Sequence, residues 1–248
     1  MRRRMKQLMD ILLSLALMLG LIPGMSLTVY ADEPYASLKN TTTVVHFDSK
    51  EWYLIDYDSS TVTLLAKECV DASAFNSNGS SNEYSGSTVE SAVNTYYTDS
   101  ISSDAKTAVN GSGMFLLTTE QAHTIENANK SVLECSWASG ADLNYWWLRS
   151  PGGGGNRVAC VFCGLGTVYD GGNYVWNTCG VRPALQLNLS KVTFDSSSNT
   201  FSLPAVGTYT VIASDDGNGS ASADPESGET GTKVTIKATP NNGCSFKE

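Results

Sequence analysis

Two apolar, β-branched runs open the patterned part of the chain. EWYLIDYD (51–58) and TVTLLAKE (61–68), parted by Ser59 and Ser60, predict a β-hairpin. SNGSSNEYSGS (77–87) is small and polar and reads as a loop. The period then changes. Val89, Val93, Tyr96 and Tyr97 recur at helical spacing behind Ser87-Thr88-Val89-Glu90, which has capping-box spacing, so a helix is predicted over about 88–98. Ser102–Val109, with Ser and Asp at its start, predicts a second short helix. Met114–Leu117 reads as a strand that runs into a helix capped by Thr118, with Gln121 at the box position.

Beyond Asn144 only strand-like patterns occur. YWWLRSP (145–151) predicts a core strand, and VACVF, TVY, YVW and VRPALQL follow as short apolar segments divided by glycines. VTF and FSL flank DSSSN as another hairpin. Strands, then helices, then strands define an α+β class rather than a βαβ one. From Thr208 the alternation continues between turn dipeptides, and Asp215-Asp216-Gly217-Asn218-Gly219 reads as a tight turn, since the remaining ligands of a calcium loop are missing.

The first residues follow another logic. Arg2, Arg3, Arg4 and Lys6 precede an apolar run from Ile11 to Ile22, and Val29-Tyr30-Ala31 offers small residues before Asp32. That is the layout of a cleaved secretory leader over 1–31, with an uncleaved anchor as the alternative. The run is shorter than the ~20 residues of a membrane span, so no span is expected after cleavage. Removing 1–31 takes four basic residues and one acid, and moves the net charge from −9 to −12. An acidic, exported chain without a Lys/Arg cluster excludes nucleic acid as a partner.

Six cysteines remain: Cys69, Cys135, Cys160, Cys163, Cys179 and Cys244. Six allow 15 pairings, among which Cys69–Cys135 is one candidate. Cys160-x-x-Cys163 is half of a zinc knuckle, but no second pair follows at ligand spacing, and the two histidines, His46 and His123, are remote in sequence. No metal or cofactor is therefore expected. His123 falls on the predicted helix and reads as a solvated or locally bonded imidazole, and His46 as an ordinary strand residue. Gly152–Gly155 lacks the lysine and helix start of a phosphate loop. No catalytic residue is assigned.

Trp146-Trp147-Leu148-Arg149-Ser150-Pro151-Gly152 and Gly180-Val181-Arg182-Pro183-Ala184-Leu185 bracket a loop-rich segment. With WYLIDYD upstream and FLLTTEQA (115–122), they resemble a family of uncharacterised bacterial surface proteins over roughly residues 44–190. The resemblance implies a C-type-lectin-like fold, the general architecture of the formylglycine-generating enzymes. Some relatives are variable targets of diversity-generating retroelements, in which Asn codons mutate at adenines and never reach Lys, Glu, Gln, Met or Trp. The stretch between Ser150 and Cys179 holds no Lys, Glu, Gln or Met, and Trp176 is its exception. Residues 208–248 resemble a bacterial surface β-repeat with Cys244 where an aromatic is usual. The pattern's closing Trp does not appear, which makes this a partial unit. The expected organisation is a leader (1–31), a lectin-like domain (32–190), a connecting hairpin (191–207) and a small all-β repeat (208–248).

Val161, Val168 and Val175 recur at sevens and, with Ala159, Gly166, Gly172 and Gly180, read as framework. Asn156, Arg157, Phe162, Tyr169, Asp170, Tyr174, Trp176 and Asn177 then project outward as a candidate ligand-binding set over 153–179, a paratope-like composition. The competing reading places those aromatics in the core. Arg149 and Arg182 read as structural, paired with a carboxylate or loop carbonyls. The function expected is a secreted or cell-surface module for an extracellular protein or glycan, not an enzyme. The alternatives are an oxidative enzyme using Cys160 and Cys163, or a structural surface protein without a ligand.

Overall fold

A computed structural model describes residues 33–245, apart from 80, 206, 216, 230 and 231. The chain divides into the units Met1–Ser37 and Leu38–Glu248. The leader expected over 1–31 lies outside the described residues.

The larger unit is α+β, and its main body holds two sheets. The first hairpin forms where the apolar runs predict it, joining β1 (Val45–Phe47), β2 (Lys50–Tyr57) and β3 (Thr61–Ala66) in antiparallel succession. Asp58 makes the β2–β3 turn. Its Oδ1 accepts the backbone N–H groups of Ser60 and Thr61, each at 2.7 Å, and those bonds, with that of the Ser60 hydroxyl, pull its pKa down to about 2. Trp52 to Ile55 and Val62 to Ala66 are buried without alternation, the mark of strands covered on both faces.

After β4 (Asp71–Ala74) come α1 (Thr88–Ser100), α2 (Ser103–Lys106) and α3 (Thr119–Asn129). At α1 the Ser87 hydroxyl accepts the Glu90 N–H, but Glu90 reaches past the cap to the Gly86 N–H at 2.6 Å. At α3 the full box forms between Thr118 and Gln121. α2 stops short of the predicted Val109, because Val109 leaves the helix to bridge Leu187. The strand expected over Met114–Leu117 is a single bridge, Phe115 with Ala184, since Thr118 already serves as the cap of α3.

The remaining strands of the body are β5 (Tyr145–Pro151), β6 (Arg157–Phe162), β7 (Thr167–Tyr174), β8 (Thr178–Val181), β9 (Ala184–Asn188), β10 (Thr193–Asp195) and β11 (Thr200–Ser202). They complete a six-stranded sheet, β10-β11-β1-β2-β3-β9, and a five-stranded sheet, β4-β8-β5-β6-β7. VRPALQL is thus not one strand. Arg182-Pro183 carries the chain from one sheet to the other, as residues 67–70 do between β3 and β4. YVW likewise splits, with β7 ending at Tyr174 and a turn at Asn177. The 191–207 hairpin forms, and β11 adds in parallel to β1, which makes it the margin of the six-stranded sheet.

The core lies between the sheets. Tyr53 and Leu65 meet Leu117, Ile125, Trp146, Leu148, Ala159 and Val161 there. Arg182 is fully buried beside them, and its guanidinium donates to the carbonyls of Ala66, Lys67, Val132 and Leu133 at 2.8–3.0 Å. That is the loop-carbonyl pairing expected of it. Arg149 instead stacks over the Phe115 ring, 5.3 Å from its centroid.

The C-terminal segment forms two antiparallel pairs. β12 (Thr208–Thr210) pairs with β14 (Ser227–Glu229), and β13 (Gly219–Asp224) with β15 (Thr235–Pro240). In the expected turn, Asp215 Oδ1 accepts the Gly217 N–H at 2.8 Å.

Candidate ligand-binding face

Alternation on the β5–β6–β7 ribbon sets one face against the core and turns the other away. Trp146, Leu148, Ala159 and Val161 point inward, with Val168 packed against them. Tyr145 pairs with Phe162, Trp147 with Cys160, and Cys160 with Tyr169 on the opposite face. Trp147 is covered there by Phe75, edge-on at 5.6 Å, and its indole N–H reaches the Ser73 carbonyl. Towards the other end of the ribbon the cover stops. Tyr145 lies edge-on to Phe162 at 5.3 Å and 6.3 Å from Tyr169, which is 44% exposed. Partial burial raises the Tyr145 pKa.

The second group of aromatics gathers at the open end of the β6–β7 hairpin. Arg157 and Tyr174 are directly opposed, and the guanidinium carbon lies 4.0 Å from the Tyr174 ring centroid. Tyr174 in turn stacks on Trp176, with centroids 4.6 Å apart and planes within 8°. Arg157 Nη1 also donates to the Gly172 carbonyl at 2.7 Å, which anchors the guanidinium over the ring. Tyr174 is 37% and Trp176 47% exposed. The result is an Arg–Tyr–Trp column whose indole is about half exposed and lies beside Gly79 of the 77–87 loop.

Gly172 makes this geometry. It sits at φ +66°, opposite a register shift between Val158 and Cys160, and a Cβ there would lie 2.1 Å from the Val158 carbonyl oxygen. Gly152–Gly155 is a tight return, with Gly152 and Gly153 donating to Arg157 and Gly171.

Asn156 accepts the Val175 N–H through its backbone carbonyl, and Asn177 closes the turn by donating its own N–H to the Tyr174 carbonyl. Asp170 faces His123 of α3, whose Nε2 lies 3.0 Å from Oδ1 while Nδ1 lies 3.0 Å from Glu126. Those two carboxylates, Asp170 first, raise the His123 pKa. Glu126 also accepts the Val168 N–H, so α3 satisfies part of the free edge of β7. The eight candidates therefore fall into a column (Arg157, Tyr174, Trp176), two aromatics that both meet Tyr145 (Phe162, Tyr169), an Asp170 hydrogen-bonded to His123, and two turn asparagines.

The sequence missed three contributors. Tyr145 joins Phe162 and Tyr169, Leu165 stands 55% exposed in the β6–β7 turn, and Asn82 donates to the Gly154 and Arg157 carbonyls from the 77–87 loop. Only cross-strand register, which a single sequence does not reveal, brings Tyr145 to the site. Cys160 and Cys163 have different neighbours. Cys160 accepts from Asn173 and is pushed up to about 12 by burial, while Cys163 joins Cys69 and Cys135.

Residues 209–248 match the family of divergent InlB B-repeat domains, so the C-terminal segment is similar to a bacterial surface β-repeat. Neither the curated protein sequences nor the solved structures contain a match to this chain. Among the described residues no helix is long and apolar enough to cross a membrane.

Proposed function

We propose that the chain is an extracellular ligand-binding module of the bacterial surface, in which a C-type-lectin-like domain presents the β6–β7 face and the C-terminal repeat serves as spacer. The Arg157–Tyr174–Trp176 column carries this reading. Rigid aromatics and a guanidinium, held by a backbone carbonyl and left open on an edge hairpin, are the groups that dominate protein and glycan recognition. A structural role would bury the column, as it buries Trp146 and Trp147. The surface-repeat match supports an extracellular setting, and the residues missing between Ser150 and Cys179 support a segment open to diversification.

The test uses wild type and the Tyr174→Ala and Trp176→Ala variants on an immobilised glycan array and a peptide-display library. Ligands captured by wild type should lose about tenfold or more in affinity in each variant, while thermal stability changes little. Ligands held equally by all three proteins would sink the reading. Sequencing codons 145–190 across source populations tests diversification separately: substitutions should gather at Phe162, Tyr169 and Tyr174 and spare Leu148, Val161 and Arg182.

A further inference from the structure

Away from the aromatic column, three thiols converge from remote parts of the chain. Cys69 lies in the crossing from β3 to β4, Cys135 follows the 3-10 turn after α3, and Cys163 follows β6. Their sulfurs all lie within 4.8 Å of one another, and Cys69 and Cys135 are 3.6 Å apart as free thiols. A disulfide needs sulfurs at about 2.05 Å. By contrast, the sulfur–sulfur edge of a tetrahedral site with Zn–S bonds of about 2.3 Å is about 3.8 Å. The Cys69–Cys135 distance matches the second spacing, and the third sulfur lies within 4.8 Å of both.

The surroundings fit as well. Gly180 leaves space for one sulfur, since a Cβ there would lie 2.5 Å from Cys69 Sγ. The Cys135 N–H donates to the Cys163 carbonyl at 3.1 Å, which joins two of the three loops by their backbones. Buried Arg182 sets a fixed positive charge against Cys69 and Cys135, so three thiolates, one divalent cation and one guanidinium sum to zero. Cys163 is buried, but Cys69 lines a surface pocket of about 350 Å³ with Trp52, Glu68 and Tyr96, which gives an ion a way in.

The geometry points to a thiolate site for a soft divalent cation, Zn²⁺, formed by Cys69, Cys135 and Cys163. It would tie the β3-to-β4 crossing and the post-α3 loop to the end of β6. Sequence spacing hides it, because Cys69 and Cys135 stand 66 positions apart and the Cys160-x-x-Cys163 pair contributes one member only. The site is independent of the aromatic face and would staple the domain whatever that face binds.

The test is Co²⁺ titration of the full chain, purified reduced, followed by displacement with Zn²⁺. One equivalent of Co²⁺ should produce thiolate-to-cobalt charge-transfer absorption that Zn²⁺ abolishes. Cys163→Ser and Cys135→Ser should each weaken binding by about tenfold or more, while Cys160→Ser and Cys179→Ser should leave it unchanged. Should the first two variants fail to fold, wild type decides alone: chelation should lower its melting temperature by several degrees and Zn²⁺ restore it. No charge-transfer band in wild type, a band lost in Cys160→Ser, or a mapped Cys69–Cys135 disulfide in metal-free secreted protein would each overturn the proposal.

Discussion

Replacing Arg182 by Met tests the claim that buried carbonyls, rather than charge, fix this residue. Met has nearly the right length and no charge, so the substitution relieves the cost of burying a guanidinium. It also removes four donated hydrogen bonds. Leu133 keeps a second donor in the Trp146 indole at 3.2 Å, and the Lys67 contact is only partly buried. The Ala66 and Val132 carbonyls lose a fully buried donor. Leaving two buried carbonyls without that donor and weakening two more costs about 4 kcal/mol at 1–2 kcal/mol for each full loss and less for each partial one. Relief of the buried charge returns about 1 kcal/mol, for a net loss of about 3 kcal/mol. With a urea m-value of about 2 kcal/mol/M, the unfolding midpoint should fall by about 1.5 M. Arg182→Lys should fall as far, because an ammonium keeps the buried charge and lacks the planar fork that spans four acceptors. Urea denaturation followed by tryptophan fluorescence reads both, with Trp146 5.2 Å from the guanidinium. A Met variant that unfolds within about 0.5 M of wild type refutes the reasoning.

Two further outcomes follow from the candidate face. Gly172→Ala places a methyl against the Val158 carbonyl in a left-handed conformation, so the β6–β7 ribbon must shift. Stability should drop by about 2 kcal/mol or more, with a change in the near-ultraviolet circular dichroism of the Tyr174–Trp176 stack; an unchanged spectrum counts against the bulge account. His123, with its native pKa raised above the ordinary 6.5, is stabilising when protonated. Its contribution is complete below pH ~6.5 and fades as pH rises through the raised native value. NMR titration should show the elevated pKa, and Asp170→Asn should bring it down more than Glu126→Gln; equal titration in all three proteins would refute the pairing.

What could be read from the sequence was local. The 51–58 and 61–68 hairpin, the Ser87 and Thr118 caps and the 145–151 core strand depend on neighbours a few residues apart, and all formed. Failures came where a distant partner decides. Met114–Leu117 has strand composition, but β9 offers Phe115 a single bridge. VRPALQL looks continuous until two sheets claim its halves. Among site residues, the outward positions of Arg157, Tyr174 and Trp176 followed from composition and glycine spacing, but their stacking did not. It needs the register that opposes Arg157 to Tyr174 and the turn that folds Trp176 back. The three-thiol cluster needs three loops to meet, which no spacing rule encodes.

β6 shows how one strand can serve both the core and an outward face. Ala159 and Val161 lock into the core, and Cys163, two positions on, continues that face to the thiol cluster and Arg182. Arg157 and Phe162 make their ring contacts with other outward residues, Tyr174 and Tyr145. Exchanging half-buried Phe162 removes no contact with the buried core cluster, so the change should cost about 1 kcal/mol. Exchanging an inward neighbour creates a cavity and costs several-fold more. Adjacent positions such as Val161 and Phe162 therefore differ in cost by a single step of strand alternation. Substitutions on the outward face of the proposed β6–β7 surface therefore leave the crossings that hold the two sheets together untouched.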